Sequence, residues 1–117
     1  MSALPPGGFR CRVEQTDGRA CLQARGELDV ATIPELHAAL TQVREAGAES
    51  IELDLAGLRF IDSSGLGLLW QWTQLSRDVG FDLRLKPGPH EVQRVFDIAG
   101  LTQALPFDPP PPATRSG

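Results

Sequence analysis

The chain contains no tyrosine, one methionine, two cysteines and two histidines in 117 residues. Acidic residues outnumber basic ones by 15 to 11, a formal net charge of -4. That balance excludes the basic excess with which proteins track a phosphate backbone, so no nucleic-acid partner is expected. Long apolar runs are also missing. None approaches the roughly 20 residues that cross a bilayer, which argues against membrane insertion. The opening Met1-Ser-Ala-Leu-Pro-Pro-Gly-Gly8 has neither the basic nor the apolar region of a secretory leader, and a cytoplasmic location is expected. With no CxxC pair and only His37 and His90 as imidazoles, neither a metal site nor a redox pair is indicated. No cofactor is expected either: a Walker-type Gly-Lys-Ser/Thr is absent, and Gly65-Leu66-Gly67 lacks the third glycine of a dinucleotide fingerprint.

What is present is enough for one α/β domain. Residues 1–8 and 108–117 are rich in proline and glycine without periodic apolar positions, and both are expected to be flexible tails around a domain at 9–107. A hairpin is expected at about 9–15 and 19–25, turned by Asp17-Gly18. Its alternation points Cys11 inward and Cys21 outward, and opposite faces of one sheet cannot be bridged by a disulfide. Gly26-Glu-Leu-Asp29 is read as a loop. A helix follows, with Thr32 as cap, Glu35 closing a capping box and Pro34 in the first turn, ending near Gly47. Its stripe is Ile33, Leu36, Ala39, Leu40 and Val43, with Glu35, Gln42, Arg44 and Glu45 on the solvated side.

The third strand, Ile51 to Leu55, leads through residues 56–61 to a second helix whose inward stripe is Leu68, Leu69, Trp72, Leu75 and Val79. Phe81 to Leu85 alternates again. A short helix over 90–99 turns Val92, Val95, Phe96 and Ala99 inward before Gly100 stops it. The order β-β-α-β-α-β-α contains a β-α-β unit, hence parallel pairing by a right-handed crossover. The expectation is a mixed sheet of four to five strands with helices mainly on one face.

Asp62-Ser63-Ser64-Gly65-Leu66-Gly67 lies between the third strand and second helix. A serine in the first turn of a helix faces unpaired N–H groups and the positive end of the helix dipole, where a phosphate dianion is stabilised. Local chemistry leaves two readings open for Ser63 and Ser64: helix caps, or a modifiable pair with Ser64 as acceptor. Capping does not account for Gly65 and Gly67, which weaken a helix and point to close approach by backbone or partner. A hydrolase using Ser64 would need a base and an orienting group. Gly-x-Ser-x-Gly is absent, since position 62 is Asp, and no carboxylate is tied to either histidine. Catalysis is therefore not expected. If the first and third strands are neighbours, the loops after the second and third open on one end and bring Asp29 near Ser64, where its carboxylate is a candidate partner-binding group that steers a partner's cation or discourages phosphate. Leu66 and Trp70, four apart and off the main stripe, are candidates for a partner-binding patch on a less buried side.

Residues 51–69, Ile-Glu-Leu-Asp-Leu-Ala-Gly-Leu-Arg-Phe-Ile-Asp-Ser-Ser-Gly-Leu-Gly-Leu-Leu, resemble the signature of the STAS domain as found in bacterial anti-sigma factor antagonists. The resemblance extends to Gly26-Glu-Leu-Asp29 and Val95-Phe-Asp-Ile-Ala-Gly-Leu101, so it covers nearly all of 9–107. It implies a non-enzymatic partner switch. The unphosphorylated antagonist binds an anti-sigma factor that is also a serine kinase and so releases a sigma factor. Phosphorylation at Ser64 ends the complex, and a PP2C-type phosphatase reverses it. Asp62, Ser63, Gly65 and Gly67 flank that site, with Ser63 as helix cap. Ala56 departs from the serine or threonine that many members carry, a change expected to alter hydrogen bonding behind the serine loop. The alternative within the family is a STAS subunit that binds a transporter ATPase or larger scaffold and is never phosphorylated.

Overall fold

The computed structural model describes residues 8–110 of the chain. The elements are Phe9–Thr16 (β1), Arg19–Leu28 (β2), Ile33–Glu45 (α1), Ser50–Ile61 (β3), Ser63–Val79 (α2), Asp82–Lys86 (β4) and His90–Ile98 (α3). This is the expected β-β-α-β-α-β-α order. The sheet has four strands in the order β1-β2-β3-β4, with β1 antiparallel to β2 and the other neighbours parallel. The first and third strands are therefore not neighbours, because β2 lies between them. The helices pack on one face, and the opposite face carries the charged alternate residues such as Arg12, Glu14, Glu52 and Arg84.

The turn between β1 and β2 follows from its two residues. Asp17 and Gly18 have φ of 51° and 80°, the pair of positive angles that a two-residue hairpin of matching twist requires. Two strands are longer than expected, one of them into residues read as a loop. β2 runs on through Gly26 and Glu27 to Leu28, and β3 continues past Leu55 to Ile61. The ladder is kept by register shifts near Arg25 and Gly26, where Gly26 takes φ 100°. Gly57 permits the close approach there: a Cβ on it would lie 2.8 Å from Arg25 Cγ and 3.0 Å from the Ala24 carbonyl. Turn-type residues inside an alternating run therefore mark a bulge in this chain.

Leu22, Leu53, Leu55, Leu36, Leu40 and Phe96 are among the fully buried side chains between sheet and helices. Each contributes roughly 1.5–3 kcal/mol relative to an exposed position. α1 lays Leu36, Leu40 and Val43 on the sheet as its stripe predicts. Arg44 is not simply solvated: its guanidinium lies 4.3 Å from the Phe81 ring centroid and donates to the Ala48 carbonyl at 2.6 Å. On α2 the inward stripe includes Leu68, Leu69 and Trp72, but Leu75 and Val79 are exposed. Their places are taken by Thr73 and Ser76, whose hydroxyls donate to the carbonyls of Leu69 and Thr73. The buried indole of Trp72 donates through Nε1 to His37 Nδ1 at 3.1 Å and tethers α2 to α1. α3 buries Val92 and Phe96, while Ala99 is exposed because the helix ends at Ile98.

The outer edge of β4 is covered by the returning chain. Leu85 N donates to Pro106 O, Asp108 N donates to Leu85 O, and Asp108 accepts from Arg84 at 3.1 Å. Phe107 packs edge-on against Phe96 with ring centroids 5.1 Å apart. The expected tails lie outside the described residues except for residue 8 and residues 108–110.

Both cysteines are free, Cys11 packed against the core and Cys21 on the opposite face. Burial, with a smaller contribution from the charge of Glu35, pushes the Cys11 thiol up from 9.0 to about 11. The neutral thiol is thus the form favoured by folding. Its contribution to stability is fully present below pH 9.0 and is lost as the pH rises towards about 11. Urea unfolding followed by circular dichroism across that window should show a decline that is shallower in Cys11→Ala. An unchanged slope would contradict the assignment.

Candidate functional site

The site begins with the pairing of two strand ends. Leu28 and Ile61 are partners in the β2–β3 register, and Asp62 N donates to Leu28 O at 3.2 Å. The residues that follow, Asp29 and Asp62, therefore leave the sheet side by side. The proximity expected for Asp29 and the serine turn arises from this pairing, not from contact between the first and third strands.

Asp62 is the residue that caps α2. It sits in extended conformation, and its Oδ1 accepts from Gly65 N at 3.1 Å. Ser63, expected as the cap, is the first helical residue and is exposed, and Ser64 is the second and half-buried. The carboxylate wins because it accepts a charge-assisted bond at the positive end of the helix. That frees both hydroxyls from capping. The N–H groups of Ser63 and Ser64 have no acceptor within the helix, as in any first turn.

The two glycines differ. A Cβ on Gly65 would lie 2.7 Å from Ile61 Cγ1 and 3.1 Å from Leu28 Cγ and O, so only glycine lets the first turn of α2 seat on the β2–β3 ends. Gly67 meets nothing within 4 Å, and close approach within the chain does not account for it. At spacings of four and three, Ser63, Gly67 and Trp70 share one helix face, and all three are exposed. Gly67 leaves that face without a side chain between serine and indole.

Leu66, expected on a less buried side, is 8% exposed and belongs to the core, because it lies one residue from Gly65 on the side that faces the sheet. Trp70 is 38% exposed and remains available. Asp29 shapes its own loop. Its Oδ1 accepts from Ala31 N at 3.0 Å and Thr32 N at 3.2 Å, while the Thr32 hydroxyl donates to Glu27 O at 2.8 Å. Thr32 thus holds the N-cap position of α1 as expected, but its side chain makes no capping hydrogen bond and no capping box with Glu35 forms. The stitched loop presents Val30, 69% exposed, and β3 presents Phe60 just before the turn. Neither residue stood out in the sequence, since a single apolar side chain in a loop or on an outward strand position has no period to mark it. Behind the turn, Ala56 N donates to Asp54 Oδ1 at 2.9 Å. Among the described residues no group of three or more His, Cys, Asp or Glu could hold a metal ion.

The fold is a four-stranded α/β sandwich with two adjacent serines in the first turn of α2. The family model described as Mlab, STAS domain matches residues 11–106, and the chain belongs to the STAS domain family, with the anti-sigma factor antagonists. It is 36% identical over 80 residues to the anti-sigma-B factor antagonist of Staphylococcus epidermidis, covering 68% of this chain and 74% of that one. Among solved structures, an anti-sigma factor antagonist from Mycobacterium paratuberculosis superposes with a TM-score of 0.73 over 90% of this chain and 89% of the other, at 22% identity. The anti-sigma factor antagonist SpoIIAA in its unphosphorylated form does so with a TM-score of 0.67 over 79% and 82%, at 26% identity.

The contrast between the glycines is measurable. Gly65→Ala should cost about 1–3 kcal/mol through overpacking against Ile61 and Leu28. Gly67→Ala should stabilise by about 0.5–1 kcal/mol, because it meets open space and removes a helix-interior glycine. Urea denaturation of both variants checks the opposite signs, and equal signs would refute the packing account.

Proposed function

We propose that the chain is an anti-sigma factor antagonist in a partner-switching pathway, with Ser64 as its phosphoacceptor. Unphosphorylated, it binds an anti-sigma factor that is also a serine kinase and so releases a sigma factor. Phosphorylation at Ser64 switches binding off, and a PP2C-type phosphatase resets it. The observation that carries this reading is the freedom of Ser64: Asp62 does the capping, so the hydroxyl in the first turn of α2 is not needed for the helix. Its relatives support it. They include anti-sigma factor antagonists, one of them solved in a form named as unphosphorylated.

The surroundings suit a charge switch. Val30, Phe60 and Trp70 are exposed apolar side chains on the elements that meet at the turn. Such side chains supply contact area that a partner desolvates. A phosphate adds about −1.5 to −2 charge at neutral pH. It would stand beside Asp62 and near Asp29, repelling acidic groups of a partner while its own oxygens face the helix dipole. The domain keeps its fold and loses its partner.

Incubation of the full chain with ATP and its cognate serine kinase, followed by mass spectrometry of the peptide containing Ser63 and Ser64, should place one phosphate on Ser64. In pull-down with that kinase, Ser64→Ala should retain binding and Ser64→Asp should lose it. Equal capture by the two variants, or phosphate absent from Ser64, would reject the switch and leave a STAS subunit that acts without phosphorylation.

A further inference from the structure

The two edges of the sheet are treated differently. The β4 edge is occupied by residues 106–108, as described above. Among the described residues nothing pairs with the outer edge of β1, an eight-residue strand. An open edge of this length is a template for another strand.

Which backbone groups face outward follows from the hairpin. A two-residue turn makes Thr16 and Arg19 the closing hydrogen-bonded pair, and the unbroken register Thr16↔Arg19 to Phe9↔Gly26 then alternates. Glu14, Arg12 and Arg10 bond to β2. The Glu27 N to Gly8 O bond of 2.9 Å continues the even-numbered series. The N–H and C=O groups of Cys11, Val13 and Gln15 therefore point to the open edge. Val13 lies on the helix-covered face opposite the buried Leu22, yet it is 42% exposed. Arg12 and Glu14 stand on the other face, both more than two-thirds exposed, with only a 3.6 Å contact to each other.

These constraints select an occupant. When two copies pair antiparallel across a two-fold axis, the sequence of β1 meets itself, and charge discriminates among the registers. An axis at Cys11 sets Arg10 against the partner's Arg12. An axis at Arg12 sets Arg12 against itself at the centre, which offsets the Arg10–Glu14 pairs it would form, an axis at Glu14 sets Glu14 against itself, and an axis at Gln15 offers no ion pair. An axis at Val13 sets Arg12 against the partner's Glu14 and Glu14 against the partner's Arg12, with the two valines in contact on the helix-covered face. It also pairs the outward-facing groups of Cys11, Val13 and Gln15 with those of the partner's Gln15, Val13 and Cys11.

We propose that the chain self-associates through β1, forming a continuous eight-stranded sheet with its two-fold axis at Val13 and reciprocal Arg12–Glu14 pairs across it. The two serine turns then point to opposite ends of the sheet, and both remain open to other partners. An interface of one strand pair is small and belongs to the weak, reversible class.

Sedimentation velocity of the full chain up to about 1 mM should show a reversible monomer–dimer equilibrium. Arg12→Glu and Glu14→Arg should each weaken it by about tenfold, since each places two like-charged pairs across the axis. An equimolar mixture of the two variants should recover wild-type association, because only the mixed dimer has opposite charges at both pairs. Both positions are exposed, so the variants keep the fold. A chain that stays monomeric throughout overturns the proposal. So do single variants that associate as well as wild type, or a mixture no stronger than its components.

Discussion

Two strand ends that finish together organise this molecule. Leu28 and Ile61 are register partners at the close of β2 and β3, and the bond from Asp62 N to Leu28 O extends the ladder one residue beyond the sheet. Gly65 then lets α2 start directly on that pair, close enough that a single added methyl group would collide with both strands. The position of the serines is thus fixed by backbone contact rather than by the reach of side chains. The Asp29 loop, the α2 cap and the exposed apolar residues around them all inherit their places from it.

The two carboxylates at this end have separate structural tasks. Asp62 satisfies the start of α2, and Asp29 closes the loop that leads to α1. Because both are committed to backbone N–H groups, neither serine hydroxyl is needed to hold the turn. On the proposed function, a phosphate there would change the charge that a partner meets and leave the hydrogen bonds that hold the loop untouched. This separation is what a reversible switch requires, since a hydroxyl that held the helix together could not be esterified without loosening it.

Much of this was legible in the chain, and the misses share physical causes. Helix and strand order came from periodicity, which long elements such as α1 and α2 display over several turns. The extension of β2 and β3 was hidden because Gly26 and Gly57 read as turn residues, and only pairing between distant segments shows that they form a bulge and a close crossing. The choice of Asp62 over Ser63 as cap depends on which residue is still extended when the helix begins, a matter of one position that local propensity does not resolve. Leu66 is buried for a related reason. Near the start of a helix the buried stripe is set by what lies beneath the first turn, here the β2–β3 ends, and not by the stripe farther along.

The two tryptophans stand two positions apart on α2 in opposite surroundings. Trp72 is enclosed, with its N–H held by His37 and its ring edge-on to Phe81, whereas Trp70 stands partly in solvent on the face it shares with Ser63. With no tyrosine in the chain, these two indoles dominate its near-ultraviolet optics. The protein therefore carries its own pair of fluorophores, one sensing the integrity of the core and the other sensing whatever settles on the serine face. Emission from each can be isolated by replacing the other with phenylalanine, which turns occupancy of that face into an optical signal without an added label.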